Sequence, residues 1–229
     1  MSSPILDQVY VEVEQKTMDT TFIAQEPLSI FRQEPSEEVD AAWRKLGDTR
    51  PIPISRDRVL AIGKDPSQAV QVPESWGYGN ETYFGRVDAY HQLHCLDALR
   101  REAYFEHYYG YKYPNGFNDT TPFHRAHLAH CVHILLRNIM CTSSTDIFTH
   151  IWIDSLEHPW PDFQINHQCK NFDAIAEWQK ENAMDEKALS ELTKPEGYPY
   201  RVANHKFKEV HGWFEDHEDD GSSEKGEVA

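Results

Sequence analysis

The sequence has few basic residues, and this shortage limits what the protein binds. Lys and Arg number 22 among 229 residues, against 38 Asp and Glu, which gives a formal net charge of −16 at pH 7. Nucleic acids and anionic membrane surfaces are bound mainly through clustered Lys and Arg. The composition therefore argues against both as partners.

The sequence also lacks a long hydrophobic run. Its longest apolar stretches fall far short of the roughly twenty residues that span a bilayer. Residues 1–16 show neither the basic beginning nor the apolar centre of a secretory signal. We therefore expect no membrane span in this chain. A hydrophobic fraction of 39%, with 12% aromatic residues, is still sufficient for one folded core.

Against this background, two five-residue segments repeat each other. Residues 91–95 read HQLHC, and residues 127–131, thirty-six positions later, read HLAHC. Positions i, i+3 and i+4 of a helix share one face, so each segment presents two imidazoles and a thiol on one stripe. Two such helices supply enough ligands for a transition-metal centre. The candidate ligands are His91, His94, Cys95, His127, His130 and Cys131.

Both segments are predicted to be helical. Residues 84–108 carry apolar residues at near-helical spacing around the first motif. The second helix is expected to begin after Thr121, a good N-cap residue, with Pro122 at its first position. Each helix should also have an apolar side that packs against the core, which in the second helix consists of Leu128, Val132, Leu135, Leu136 and Ile139.

A hydrolytic zinc site of the protease type does not fit these motifs. That chemistry needs a glutamate directly after the first histidine, where this sequence has Gln92 and Leu128. A structural zinc site is a stronger alternative, because four His and Cys ligands on two helices can close a tetrahedral shell. With His133 and His167 included, the candidate ligands outnumber those of one closed site, which favours a reactive centre or two metal ions.

The two motifs resemble the signature of the fungal UstYa-type oxidases. Further similarity lies in residues 39–43 (VDAAW), in residues 135–142 (LLRNIMCT) and in residues 167–175 (HQCKNFDAI), which lead to Trp178. The order and spacing of these motifs agree with the family throughout. The resemblance covers about residues 30–182.

This resemblance implies a metal-dependent oxidase of fungal secondary-metabolite (mycotoxin) biosynthesis. Family members carry out oxidative cyclisation, hydroxylation, dehydrogenation or halogenation of peptides or other small-molecule scaffolds, and a few catalyse rearrangements without net oxidation. Copper is the implied cofactor and dioxygen the implied co-substrate, and the chain is expected to form homo-oligomers or hetero-oligomers with a paralogue. On this basis we expect copper to be held by His91, His94, His127 and His130, with His167 as a further ligand or proton shuttle.

Two other functions remain open from the sequence. The protein could be a non-catalytic binding or scaffold protein stabilised by zinc, or a non-redox cyclase of the same family. Its localisation is open as well, because typical members carry an N-terminal transmembrane helix before a lumenal domain and no such helix is visible here. The chain is therefore either a soluble variant or a chain without its anchor.

The four cysteines have two interpretations. In a lumenal protein an even number of cysteines favours disulfides. One of the three possible pairings joins Cys95 to Cys131 and Cys141 to Cys169. In a reducing cytosol the same thiols would ligate the metal or be buried. Imidazoles alone suit oxygen chemistry, whereas added thiolates favour Cu(I) and electron transfer. We favour histidine ligation, with the cysteines holding the helices together.

Other polar and aromatic residues are weaker candidates. Asp88 and Asp97 lie near the first motif and could orient imidazoles, although helix-surface solvation is the simpler role. The aromatic residues between 104 and 113 could wall an apolar pocket or pack the core. The C-terminal histidines recur every six residues, a period of neither a helix nor a strand, so we do not expect them to be ligands; they are His205, His211 and His217.

The chain as a whole predicts a mainly α fold, with a compact helical core built on the two motif-bearing helices, a short N-terminal strand and long loops. We expect an N-terminal arm with a strand over residues 1–29, a catalytic domain over 30–184 and a C-terminal arm over 185–229. The last of these ends in an acidic, disordered tail at residues 215–224.

Three local predictions concern the elements between the motifs. Ser36 is expected to cap a helix that ends at Gly47. Residues 48–83, which are rich in Pro, Gly and Ser, are expected to form loops with at most one short helix. Asn171 is expected to cap a further helix whose apolar residues face inward.

Overall fold

The structure is a computed structural model, and it describes residues 3, 5–18, 20–22 and 26–216. Over these residues the protein is mainly α-helical, as its sequence predicts, with small antiparallel strand pairs. The expected acidic tail lies almost entirely outside the described residues, and so does His217. None of the described helices is both long and apolar enough to cross a bilayer.

The helices and strands follow one another in this order: β1 (Val13–Met18), α1 (Glu37–Leu46), β2 (Ile52–Ser55), α2 (Arg56–Ala61), β3 (Thr82–Gly85), α3 (Asp88–Ala103), α4 (Phe105–Tyr109), α5 (Pro122–Thr142), β4 (His150–Ile151), β5 (Trp160–Pro161), β6 (Ile165–Lys170), α6 (Phe172–Asn182), α7 (Glu186–Ser190), α8 (His205–Val210) and α9 (Trp213–Asp216). The strands pair as β1 with β6, β2 with β3, and β4 with β5, each antiparallel.

Three helices begin where the sequence predicts. Ser36 caps α1, Thr121 caps α5 and Asn171 caps α6, and each side-chain oxygen accepts a hydrogen bond from the backbone N–H three residues on. These bonds satisfy donors that have no partner within a helix. At the other end of α1, the backbone N–H of Gly47 donates to the Trp43 carbonyl, so this predicted end is confirmed as well.

Strand positions were predicted less well. Strand β2 and the start of β3 lie in the segment 48–83 that was expected to be loops. Pro51 and Pro53 give β2 the composition of a loop. Phe84, expected in the first motif helix, belongs to β3, and that helix begins only at Asp88. The N-terminal strand starts at Val13 and runs antiparallel to β6.

The hydrophobic core lies around the antiparallel pair of β2 and β3. Its largest buried cluster joins residues of the N-terminal segment, β2, α2, β3 and α6, namely Ile5, Ile52, Ile54, Val59, Tyr83 and Trp178. The expectation of a core built on the two motif-bearing helices is not confirmed. Trp178 of α6 does face inward as predicted, with 6% of its surface exposed.

The apolar side of α5 is more exposed than its sequence suggests. Val132 is 52% exposed, Leu136 50% and Ile139 68%, so the prediction that these residues pack in the core was wrong. The reason is that α5 packs mainly along α3, and Cys131 is the one residue of α5 that becomes buried. Periodicity identifies an apolar face but does not show what covers it.

A polar network fixes α3 against α1. The Arg100 guanidinium donates to Asp40 of α1 and to Asp97 of α3, both at 2.8 Å, and Tyr108 also donates to Asp40 at 2.7 Å. Only 10% of the Arg100 side chain is exposed. Asp97 is therefore engaged by Arg100 and by Arg101 rather than solvated on the helix surface.

Candidate metal centre

The two motifs come together between α3 and α5. Nε2 of His91 lies 3.4 Å from Nε2 of His130, and the ring centroids of His94 and His127 are 5.7 Å apart. Further along the same pair of helices, Nε2 of His124 lies 3.1 Å from a carboxylate oxygen of Glu102. Along α3 the contacting residues run from His91 to Glu102, whereas their partners on α5 run backwards from His130 to His124. The two helices are therefore antiparallel.

These contacts follow a local twofold pattern. The repeat offset of thirty-six positions relates His91 to His127 and His94 to His130. Exchanging the helices therefore turns the contact of His91 with His130 into the contact of His127 with His94, and both contacts are present. The internal repeat of the sequence thus appears in space as a local twofold axis between the helices.

The motif cysteines, one from each helix, are close enough to interact with each other. Cys95 and Cys131 are fully buried and free, and each Sγ lies close to the first histidine of its own motif, at 3.8 Å from His91 and 3.7 Å from His127. Burial, together with the neighbouring Cys95, raises the pKa of Cys131 to about 12. That thiol is therefore protonated at neutral pH in the metal-free chain.

The other two cysteines lie elsewhere. Cys141 is exposed near the end of α5, and Cys169 is half-buried on β6. Both are free thiols in the structure, so the pairing of Cys141 with Cys169 stays a prediction.

The donor atoms suit a borderline or soft transition metal. One ligand atom each from His91, Cys95 and His130 lie within 4.8 Å of one another. Imidazole nitrogen and thiol sulfur are ligands of copper and zinc, whereas calcium and magnesium prefer oxygen. The residues present therefore fit a metal of the copper and zinc kind.

The surroundings of His94 and His127 favour the neutral form of these two imidazoles. Burial and then the neighbouring charge of His91 lower the pKa of His94. Burial and then the charges of His94 and His130 lower the pKa of His127. A metal binds the neutral imidazole, so both shifts favour ligation at neutral pH.

The four histidines open onto a cleft of about 530 Å³, here called the histidine cleft. Its other lining residues lie before and within the start of α3 and after α1, and they are Thr49, Arg86, Val87 and Asp88. One oxygen of Asp88 accepts a hydrogen bond from Gln92 at 2.6 Å, and the other lies 3.9 Å from Nδ1 of His91. Asp88 thus contributes charge near His91 but is too distant for a direct hydrogen bond.

A second cleft lies between α5 and α8. It has a volume of about 570 Å³, and His127 and His130 line both clefts. Its remaining lining is mostly apolar and comes from α5, from α8 and from the residues on either side of α8, namely Phe123, Ala126, Asn204, Lys206, Phe207, Val210 and His211. His211, which the sequence did not suggest as a ligand, has its Nδ1 2.8 Å from the Phe207 carbonyl.

Some predicted site residues are not part of the cluster. His167 lies on β6, where its Nδ1 contacts the Asp146 carboxylate, so its role as a further ligand stays a prediction. His133 is exposed on α5. The aromatic residues after the first motif pack among themselves and against His124, as Phe105, Tyr109 and Tyr113 show.

The sequence did not point to Arg86, Thr49 or α8 as parts of the site. Thr49 and Arg86 stand outside the helical repeat, in segments without a recognisable motif. Residues of α8 lie more than seventy positions after the second motif, and only the packing of α8 on α5 brings them near the histidines. A periodic pattern identifies ligands on one element but not the walls that other elements supply.

The fold and the site define a mainly helical protein with a candidate metal centre shared by two antiparallel helices. The family model described as Mycotoxin biosynthesis protein UstYa matches residues 1–182. The chain belongs to this family, and the resemblance seen in its sequence is confirmed.

Several curated proteins are similar to the chain. The UstYa family oxidase aprY of Aspergillus flavus is 40% identical over 187 residues, which cover 80% of this chain and 56% of aprY. The UstYa family oxidase phomYc of Diaporthe leptostromiformis is 27% identical over 184 residues, which cover 80% of this chain and 69% of phomYc. The chain thus spans a little over half the length of aprY. No solved structure matches the chain.

Proposed function

We propose that the chain is a copper-dependent oxidase of fungal secondary-metabolite biosynthesis. The observation that carries this proposal is the convergence of both histidine pairs on one cleft, with Nε2 of His91 and Nε2 of His130 only 3.4 Å apart. Histidines without a shared function on two helices would not be expected to face one another. The names of the relatives, which call aprY and phomYc oxidases, support the same class of activity.

In this proposal the metal is held by His91, His94, His127 and His130. The lowered pKa values of His94 and His127 keep those imidazoles available as ligands. The raised pKa of Cys131 disfavours its thiolate, so in this proposal Cys131 acts as buried packing between the helices. When bound at these histidines, copper supplies one-electron redox chemistry toward dioxygen.

The remaining residues bind and position the substrate. The histidine cleft, of about 530 Å³, has the volume of a small-molecule site. Because α3 is fixed to α1 by Arg100 and Asp40, the imidazoles of His91 and His94 are carried by an anchored element. The substrate is a peptide or another small-molecule scaffold, and the oxidation is a cyclisation, hydroxylation, dehydrogenation or halogenation.

The proposal extends to the oligomeric state. The exposed apolar residues Val132, Leu136, Ile139 and Met140 form a stripe along α5. Contiguous apolar surface of this kind is typical of protein interfaces. We expect the chain to associate with a copy of itself or with a paralogue, and light scattering of the purified chain, alone and with a paralogue, measures this directly.

The test is metal analysis of protein purified without a histidine tag, followed by reoxidation. The reduced, desalted protein is mixed with air-saturated buffer and the Cu(II) resonance is followed over time. Bound copper that is reoxidised by dioxygen in the wild type, and is absent from His91→Ala, supports the oxidase. Tightly held zinc with no copper uptake would instead support a metal-stabilised scaffold, and copper that is never reoxidised would support a non-redox role.

A further inference from the structure

We propose that Arg86 binds a carboxylate group of the substrate and so orients the substrate in front of the histidines. This inference rests on the proposed function and names the ligand chemistry of the same cleft. Arg86 lies two positions before α3 and lines the histidine cleft together with all four motif histidines. None of the sequence motifs includes it.

The Arg86 side chain is held in place by two contacts. Nη1 donates to the Thr49 backbone carbonyl, and Nη2 lies 2.9 and 3.2 Å from the two carboxylate oxygens of Glu186. A guanidinium has five N–H donors, so these contacts leave donors for a ligand. Arg86 is therefore fixed in position before a ligand arrives, with 39% of its side chain exposed.

Arg86 places a positive charge on the wall of the histidine cleft. Arg86 and Asp88 are the two residues of opposite formal charge in its lining, and Asp88 is already bonded to Gln92. In a chain of net charge −16, a cation on the wall of the cleft supplies the attraction that an anionic substrate needs.

Carboxylate is the anion that fits best. The planar fork of arginine can bind a carboxylate through two parallel hydrogen bonds, whereas both Glu186 oxygens contact the single nitrogen Nη2. A substrate carboxylate either shares the guanidinium with Glu186 or displaces it. Once Arg86 holds the carboxylate, the rest of a small ligand has to lie in the histidine cleft.

The experiment compares benzoate with its neutral analogue benzamide as probes. Binding of each to the metal-free chain is measured by NMR titration, so that a carboxylate cannot be captured by the metal. The variants are Arg86→Gln, Glu186→Gln and a matched control, Arg56→Gln. Arg56 forms a similar exposed ion pair with Glu81 at 3.4 Å but does not line the cleft.

We expect the wild type to bind benzoate more tightly than benzamide and Arg86→Gln to lose this preference, with benzoate weakened roughly tenfold to a hundredfold. Glu186→Gln should tighten benzoate several-fold, because the competing carboxylate is gone. Arg56→Gln should bind like the wild type. Since Glu186→Gln breaks the same ion pair as Arg86→Gln, a general loss of structure would weaken both variants alike.

Two results would overturn the proposal: equal affinity of the wild type for benzoate and benzamide, or unchanged benzoate binding in Arg86→Gln. Copper uptake by the same variants is measured separately. If Arg86→Gln takes up copper like the wild type but no longer prefers benzoate, Arg86 binds the carboxylate and is not needed for metal binding. A wild type that takes up no copper contradicts the proposed oxidase whatever the probes show.

Discussion

Nε2 of His91 and Nε2 of His130 lie 3.4 Å apart, although 39 positions separate them in the chain. The contact joins the first histidine of one motif to the second histidine of the other. Neither motif therefore forms the candidate centre by itself. The site depends on the antiparallel packing of α3 against α5.

Replacing one histidine of this contact should disable the whole site. His91→Ala and His130→Ala are each expected to weaken copper binding more than roughly 100-fold. Loss of a residue that only hydrogen-bonds to a metal ligand costs roughly 10- to 100-fold, and loss of a ligand itself should cost more. The double variant should be little worse than either single one, because the two residues act as a unit. Titration calorimetry measures all three affinities.

The control for this experiment is His133→Ala. His133 is on the same helix, is exposed, and lies outside the cluster. Its replacement should leave the copper affinity unchanged. Additive losses in the double variant, or an equal loss in His133→Ala, would show that the histidines bind metal independently.

The buried thiols should matter more for stability than for metal binding. Cys131→Ser places a hydroxyl in a fully buried position, and we expect the free energy of unfolding to fall by about 1–3 kcal/mol. Copper stoichiometry should be retained, and the wild type should show no intense visible thiolate-to-copper absorption. The exposed Cys141→Ser serves as the control and should change neither property. A visible thiolate band that disappears in Cys131→Ser would prove the cysteine to be a ligand.

The position of the core can be tested with two alanine substitutions. Val59→Ala removes a side chain that is 2% exposed in the cluster around β2 and β3, and we expect it to lower the free energy of unfolding by about 2 kcal/mol. Ile139→Ala, at a position 68% exposed on a motif helix, should change it by less than about 0.5 kcal/mol. Denaturant unfolding measures both, and the reverse order would place the core on the motif helices.

The ion network at α1 predicts how stability depends on pH. Burial opposes ionisation of Asp40, but hydrogen bonds from Tyr108 and Arg100 outweigh it and lower the pKa of Asp40. Because the pKa of Asp40 is lower in the folded protein than in the unfolded chain, its ionised carboxylate stabilises the fold. This stabilisation is complete above the pKa of the unfolded chain, near 3.9, and is lost as the pH falls through the pKa of the folded protein. Asp40→Asn should therefore cost about 2 kcal/mol at neutral pH.

This cost should shrink as the pH falls below about 4, because the wild type then loses the same charge. Thermal unfolding of the wild type and the variant between neutral and acidic pH measures the difference. The exposed Asp154→Asn provides the control and should be close to neutral throughout. A cost for Asp40→Asn that is constant or rises toward acid would contradict the assignment.

The predictions from sequence succeeded where the signal is local. The caps Ser36, Thr121 and Asn171 depend on a few neighbouring residues, and the helical spacing of the motifs depends only on chain geometry. The sequence could not show that Leu136 stays exposed, because exposure depends on what other elements cover. Arg86 was missed for the same reason, since its place in the cleft results from how β3 leads into α3.

The most direct test of the central claim is electron paramagnetic resonance of Cu(II) bound to the untagged chain. If both helices hold the metal, the nitrogen couplings of the wild type should change when either His91 or His130 is replaced, and should stay the same in His133→Ala. A copper signal that is insensitive to the loss of His91 or of His130, or a chain that takes up only zinc, would contradict a redox metal shared between the two motifs.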